Sequence, residues 1–194
     1  MQKANKNREK FALFLVVGVL IIAYVFRFIS INGQYPQTIC QAFSINQPVP
    51  YNGIIIQLNS CKVMGDSDLR KLESVDEENI DYEYDEKCIV AEVQIKNTSG
   101  KQEKVEVYHL TAESGAWCNG IDLSIFQQLN GKDATLVPTL QPGQEVTMKL
   151  PYTMNAAQFG EHKWETVMQR QYQLVLSLYP VKKTIQLDFS SSNA

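Results

Sequence analysis

Ten carboxylates fall between Asp66 and Glu86, against only Arg70 and Lys71 in the same stretch. Oxygen-rich stretches of this kind can hold a hard cation. Calcium requires several oxygens converging on one loop, and Asp66-x-Asp68 and Asp81-x-Glu83-x-Asp85 are the spacings that could supply them. No glycine stands where an EF-hand loop makes its sharp turn, however. Tyr82 and Tyr84 alternate with the acids, as they would along a strand with one wet face. The stretch therefore reads as a solvated insertion loop. A protein-docking surface and a calcium site are the two readings that would give it a function.

The residue types needed for catalysis are thinly spread. His109 and His162 are the only histidines. Neither lies in H-E-x-x-H, no cysteine pair is spaced C-x-x-C, and no metal centre of the zinc type is expected. Ser114-Gly115 lacks the G-x-S-x-G frame of a nucleophile elbow, and no glycine loop is built to cradle phosphate. The chain is expected not to be an enzyme and to need no cofactor. Trp117 and Trp164 flank polar loops, with Tyr108, Phe126 and Tyr172 as further aromatic candidates. Such side chains either plug the end of a core or form a recognition surface.

These residues need a scaffold, and the charge distribution shows where it sits. The net charge is −3, but residues 1–30 hold five basic side chains and one acid, leaving thirteen basic against twenty acidic in the remainder, a net of −7. With a pI near 5.5 the chain is not expected to bind nucleic acid. Phe11 to Phe26 is an unbroken apolar run of 16 residues, polar only at the Tyr24 hydroxyl. Residues 11–29 in a helix would extend about 28 Å, close to the thickness of a bilayer core. Lys3, Lys6, Arg8 and Lys10 precede the run, so the positive-inside rule places 1–10 as a cytoplasmic tail and everything after the run outside. The partner at this end is thus the membrane itself. A cleaved signal peptide is the competing reading, but no A-x-A site follows.

Residues 30–47 read as a polar tether leading into an edge strand, and 48–190 as one exported domain, with 64–87 an acidic insertion and 191–194 a C-terminal tail. Within the domain the hydrophobic period is two. Ile54, Ile56 and Leu58 alternate after Gly53. Ile89, Ala91, Val93 and Ile95 share a face, and Lys104–Leu110 resumes the pattern. Val146, Met148, Leu150 and Tyr152 follow the Gln141-Pro142-Gly143 turn. Tyr172, Leu174, Leu176 and Leu178 form another such row, and Ile185, Leu187 and Phe189 the last. Short alternating strands with turns between them predict an all-β, antiparallel, Ig-like two-sheet β-sandwich preceded by a single transmembrane helix. Ser124–Leu129 and Asn155–Phe159 allow a turn or two of helix.

The segments YNGIIIQLNSCKV, CIVAEVQIKNTSGK and LQPGQEVTMKLPYTM, in this order, resemble a family of bacterial extracytoplasmic domains of unknown function. These are telokin-like, immunoglobulin-related sandwiches of Gram-positive lipoproteins and membrane-anchored surface proteins. The resemblance rests on Gly53, the Val93-Ile95-Asn97 strand, and Leu140-Pro142-Gly143 with Tyr152. It implies a fold and an extracytoplasmic location, and it carries no catalytic residues. Asn97 and Gly100 are residue types that a turn with positive φ prefers, and Pro142-Gly143 those of a tight turn.

Cys40, Cys61, Cys88 and Cys118 all lie beyond the apolar run, where thiols tend to oxidise, and four cysteines allow three connectivities. Cys61 ends one strand and Cys88 begins the next, and each has the parity opposite to its apolar row. A cross-strand Cys61–Cys88 bridge closing the acidic insertion is the expectation, with Cys40–Cys118 by elimination. The sequence thus points to an anchored extracellular module that binds a protein partner. An accessory domain holding calcium or a small ligand is the alternative, and a structural spacer a third reading.

Overall fold

The computed structural model describes residues 2–35, 38–73 and 84–189. It divides into two units, Met1–Ile39 and Cys40–Ala194. The first is a helix, α1 (Gln2–Gln34). Its Lys10–Gln34 portion has 25 residues and contains an 18-residue stretch with a mean hydropathy of 2.6, with side chains exposed all round. A helix this long spans about 37 Å, more than the hydrocarbon core of a bilayer. A helix apolar on every side has no polar face to show to water. By length and composition it is able to cross a membrane.

The second unit runs through β1 (Ile39–Phe43), β2 (Val49–Tyr51), β3 (Ile54–Gly65), α2 (Asp66–Glu73), β4 (Glu86–Asn97), β5 (Glu103–Lys104), β6 (Thr111–Ser114), β7 (Trp117–Asn119), α3 (Leu123–Asn130), β8 (Thr139–Leu140), β9 (Glu145–Asn155), α4 (Glu161–Trp164), β10 (Tyr172–Ser177) and β11 (Val181–Leu187). One sheet has the order β1-β11-β10-β6-β7 and the other β2-β3-β4-β9, with β5-β8 as a small ladder beside them. The unit is an antiparallel β-sandwich. Its core follows the alternation: Ile54, Ile56, Leu58, Ile89, Ala91, Val93 and Ile95 from one sheet meet Tyr172, Leu174, Leu176, Ile185 and Leu187 from the other. Leu178, expected in the Tyr172 row, lies past the end of β10 and is exposed. The β2–β3 hairpin turns on Asn52 and Gly53, at φ 47° and 82°. That is the left-handed pair an Asn-Gly hairpin turn needs, because its twist matches the strands it joins.

Two features break the simple period. In β3, Leu58 lies opposite Val93 and Ser60 opposite Glu92, so Asn59 is an extra residue, a β-bulge. A bulge inverts the parity of everything after it. Cys61 therefore joins the Leu58 face and points into the core, where its Sγ donates to the Asp188 carbonyl at 2.9 Å. In β4, Cys88 to Ala91 are buried on both faces, because α2 and α3 cover the outer side with Leu69 and Ile125 over Cys88, Val90 and Met64. The segment 64–87, read as one loop, thus starts by finishing β3, continues as α2 and ends by opening β4.

The expected disulfides are corrected by this register. Cys61 pairs with Ala91 and Cys88 with Met64, an offset of three residues or about 10 Å along the strand. The two thiols also face opposite sides of the sheet, and both are free. Cys40 and Cys118 are exposed on β1 and β7, the two edges of the five-stranded sheet. Four strand spacings separate those edges, about 19 Å, far beyond the reach of a disulfide.

Two further expectations change. Of Lys104–Leu110, only Lys104 is in a strand, and Val107–His109 is a 3-10 turn. Asn97 and Gly100 are not left-handed; among the described residues positive φ falls at Asn46, Asn52 and glycines that include Gly53 and Gly143. Asn97 is instead fully buried as the last residue of β4.

Candidate functional site

Aromatic side chains from five segments meet at one end of the sandwich. Trp117 on β7 packs edge-on against Tyr172 of β10, ring centroids 5.7 Å apart, and at 6.1 Å from Phe159. Phe159 is 6.0 Å from Trp164 on α4, and Tyr172 5.9 Å from Phe189. Such offset and edge-to-face pairs are the favoured geometries of aromatic rings. The loop after β9 is fixed by a capping box in which Asn155 and Gln158 bond each other's backbone. Gln158 Oε1 also accepts the Trp117 indole N–H at 3.1 Å, which sets the orientation of that ring.

Cations border these rings. Lys87 Nζ stands 3.8 Å from the centre of the Trp164 ring. The Arg170 guanidinium lies 5.2 Å from that of Phe159. Arg170 is held from below by Ser114: its Nε donates to the hydroxyl at 3.2 Å and its Nη2 to the carbonyl at 2.9 Å. The close approach depends on Gly115, at φ 60°, where a Cβ would come within 3.1 Å of Nη2. Two of five guanidinium donors are thus spent on positioning the group.

Two open grooves meet at Arg170. One, of 390 Å³, runs between Ser114, Gln171 and Gln186, and the other, of 370 Å³, between Trp117, Gln158 and Lys163. Both volumes are within the range of ligand sites. Among the described residues their lining contains Lys163 and Arg170 and no carboxylate.

Of the acidic candidates, Asp81 and Glu83 lie outside the described residues. Asp66 and Asp68 open α2 and pair along it with Arg70 at 2.7 Å and Lys71 at 3.4 Å. Acids in the first turn and bases in the last suit the helix dipole. Asp85 belongs to the aromatic end: its Oδ2 accepts the Trp164 indole N–H at 2.7 Å, with Lys87 Nζ at 3.5 Å. The Trp164 bond, ahead of Lys87, holds its carboxyl below the usual carboxylate range. Each of the three is engaged by neighbours of its own, and among the described residues no group of three or more His, Cys, Asp or Glu is placed to hold a metal.

His109 is exposed, its Nε2 3.2 Å from Glu106, beside a smaller cleft of 110 Å³. His162 is exposed on α4. Among the aromatic candidates Trp117, Trp164 and Tyr172 come together, while Phe126 is buried on the inner side of α3 and Tyr108 packs at a tilt against His109 instead. The reading of the sequence missed Gln158, Phe159, Lys163 and Arg170. The available signal was local: Phe159, Lys163 and Arg170 interleave with Trp164 and Tyr172 over a dozen residues.

No curated protein matches the chain. Among solved structures, a conserved hypothetical protein from Bacillus anthracis aligns at 14% identity and TM-score 0.47, over 75% of this chain and 95% of its own. A functionally unknown protein from Listeria monocytogenes aligns at 12% identity and TM-score 0.47, over 74% and 80%. An uncharacterized β-sandwich protein from Clostridium difficile aligns at 9% identity and TM-score 0.46, over 78% and 97%. The sequence itself matches one family along residues 38–183, from β1 into β11, and by that match the chain belongs to the family described as a domain of unknown function, DUF5028.

Proposed function

We propose that the chain is an anchored extracytoplasmic module that acts by binding, and that its working face is the aromatic end of the sandwich. Residues 11–29 lie in the bilayer, the basic tail faces the cytoplasm and the sandwich stands outside. Lys3, Lys6, Arg8 and Lys10 ahead of the apolar helix support that orientation. The resemblance to telokin-like, Ig-related surface domains supports both the location and the absence of chemistry in the role. The observation that carries the binding reading is the position of Arg170, fixed by Ser114 at the junction of two grooves, one of them walled by Trp117 and Phe159. A guanidinium immobilised in this way has already lost the freedom that ligand capture would otherwise cost.

The topology is tested by adding protease to intact cells or protoplasts. Digestion of the sandwich with survival of the N-terminal tail is the expected result. A protected sandwich would overturn the orientation and, with it, an extracytoplasmic role.

A further inference from the structure

We propose that the two grooves at Arg170 take a carboxylate-bearing saccharide, the sugar face on Trp117 and the carboxylates on Arg170 and Lys163. The inference rests on the reading of the aromatic end as the binding face and specifies its ligand. Three observations carry it.

The first is charge. The net of −7 beyond residue 30 is carried by residues 66–86, which alone hold −8 and leave the rest of the domain near neutral, and among the described residues these grooves hold two cations and no acid. Two like charges facing one space with no counter-charge in its lining complement an anion. Arg170 retains three N–H donors beyond those given to Ser114, in the fork that matches a carboxylate.

The second is the lining. Trp117 is half-buried and Phe159 buried beneath it, so a rigid apolar ring forms one wall. Gln186 supplies a neutral amide that both donates and accepts, and Gln158, whose Oε1 already takes the Trp117 and Asn155 N–H groups, adds its Nε2 as a donor, so both suit hydroxyl groups. An aromatic wall with amides and one fixed charge matches a sugar, which has an apolar C–H face and a polar rim.

The third separates a saccharide from an acidic peptide. A peptide would most readily add as a strand to β7, the edge of its sheet. At that edge the Asn119 side-chain amide donates across to the Thr153 carbonyl of β9 at 2.6 Å, a tie that an added strand would have to displace.

The test is a titration of the full chain in detergent micelles, followed by tryptophan fluorescence and calorimetry. The probes are oligogalacturonate, maltotetraose and tetraglutamate. Saturable binding of oligogalacturonate, at least tenfold tighter than maltotetraose and weakened by salt, is the expected result. Lys163→Gln and Arg170→Lys should each weaken it fivefold or more. Binding of tetraglutamate in place of oligogalacturonate would assign the grooves to acidic peptides and overturn the proposal, as would failure of oligogalacturonate to bind. Unchanged affinity in Lys163→Gln would remove the site from these grooves, and since that side chain is exposed, the variant tests the site without disturbing the core. The proteolysis of intact cells is independent of these titrations, so a wrong ligand class and a wrong topology are told apart.

Discussion

Asn97 and Leu140, 43 residues apart, are joined by a hydrogen bond of 2.9 Å from the Asn97 side-chain Nδ2 to the Leu140 carbonyl. The same amide donates to the Lys101 carbonyl at 2.8 Å, and its Oδ1 accepts the Ser99 N–H at 2.9 Å. One buried side chain thus stitches the turn after β4 to the loop before β9, where Gly143 N–H reaches back to the Asn97 carbonyl at 3.0 Å. The Asn97 and Leu140-Pro142-Gly143 motifs therefore belong together for a structural reason. Asn97→Ala would strand the buried Leu140 carbonyl and give up the bonds to Lys101 and Ser99, and should cost about 1–3 kcal/mol. Thermal unfolding of the full chain in detergent measures it; a loss under about 0.5 kcal/mol would mean the stitch is not needed.

The edge of β9 is covered by the Asn130 side chain and the Asp122 main chain. Asn130 mimics a neighbouring strand, its Nδ2 donating to the Lys149 carbonyl at 2.8 Å and its Oδ1 accepting the Lys149 N–H at 2.8 Å. Asp122 N–H serves the Pro151 carbonyl at 2.9 Å. Asn130→Ala should lower stability by about 1–2 kcal/mol and open an edge to pairing with other chains. Sedimentation should then show association that the parent chain does not, and a variant that sediments like its parent would refute the capping role.

Burial pushes the Cys61 thiol up to about 11 and the Cys88 thiol up to about 12. Reactivity belongs to the thiolate. Alkylation at pH 8 should therefore label exposed Cys118 quickly and reach Cys61 and Cys88 only on unfolding. Non-reducing peptide maps should contain no Cys61–Cys88 peptide. The sign of the pH effect follows: the folded state keeps its protons while the unfolded thiols lose theirs, so this stabilisation is full below about 9 and is lost as pH rises toward 11 and 12. A melting temperature that holds level through that window would contradict the burial.

Asp85 responds in the opposite direction. Its carboxyl is lowered by the Trp164 bond, so the stabilisation is present above the ordinary carboxylate value and is lost as pH falls through the lowered one. Because the side chain is 55% exposed, removing the tie should cost no more than about 1 kcal/mol. Acid titration should change Trp164 fluorescence at a pH below the usual carboxylate range, and Asp85→Asn should abolish the step. An identical titration in the variant would detach Asp85 from the indole.

Residue order alone was enough for the features that depend on neighbours in the chain. The apolar run from Phe11, the turn at Gly53 and the period-two rows through Ile54–Leu58 and Ile89–Ile95 are local consequences of side-chain type and backbone preference, and each appears where the sequence places it. What only the tertiary structure decided is everything that depends on register. One extra residue at Asn59 turned Cys61 from the outer face to the core, and a three-residue offset separated it from Cys88. Helices over β4 buried both faces of a strand whose alternation promised only one. The order of strands in the sheet put Cys40 and Cys118 at opposite edges and brought Trp117, Phe159, Arg170 and Tyr172 to one end. The side-chain period of a strand is two, so a single inserted residue reverses every contact beyond it, and no local pattern records where that residue is accommodated.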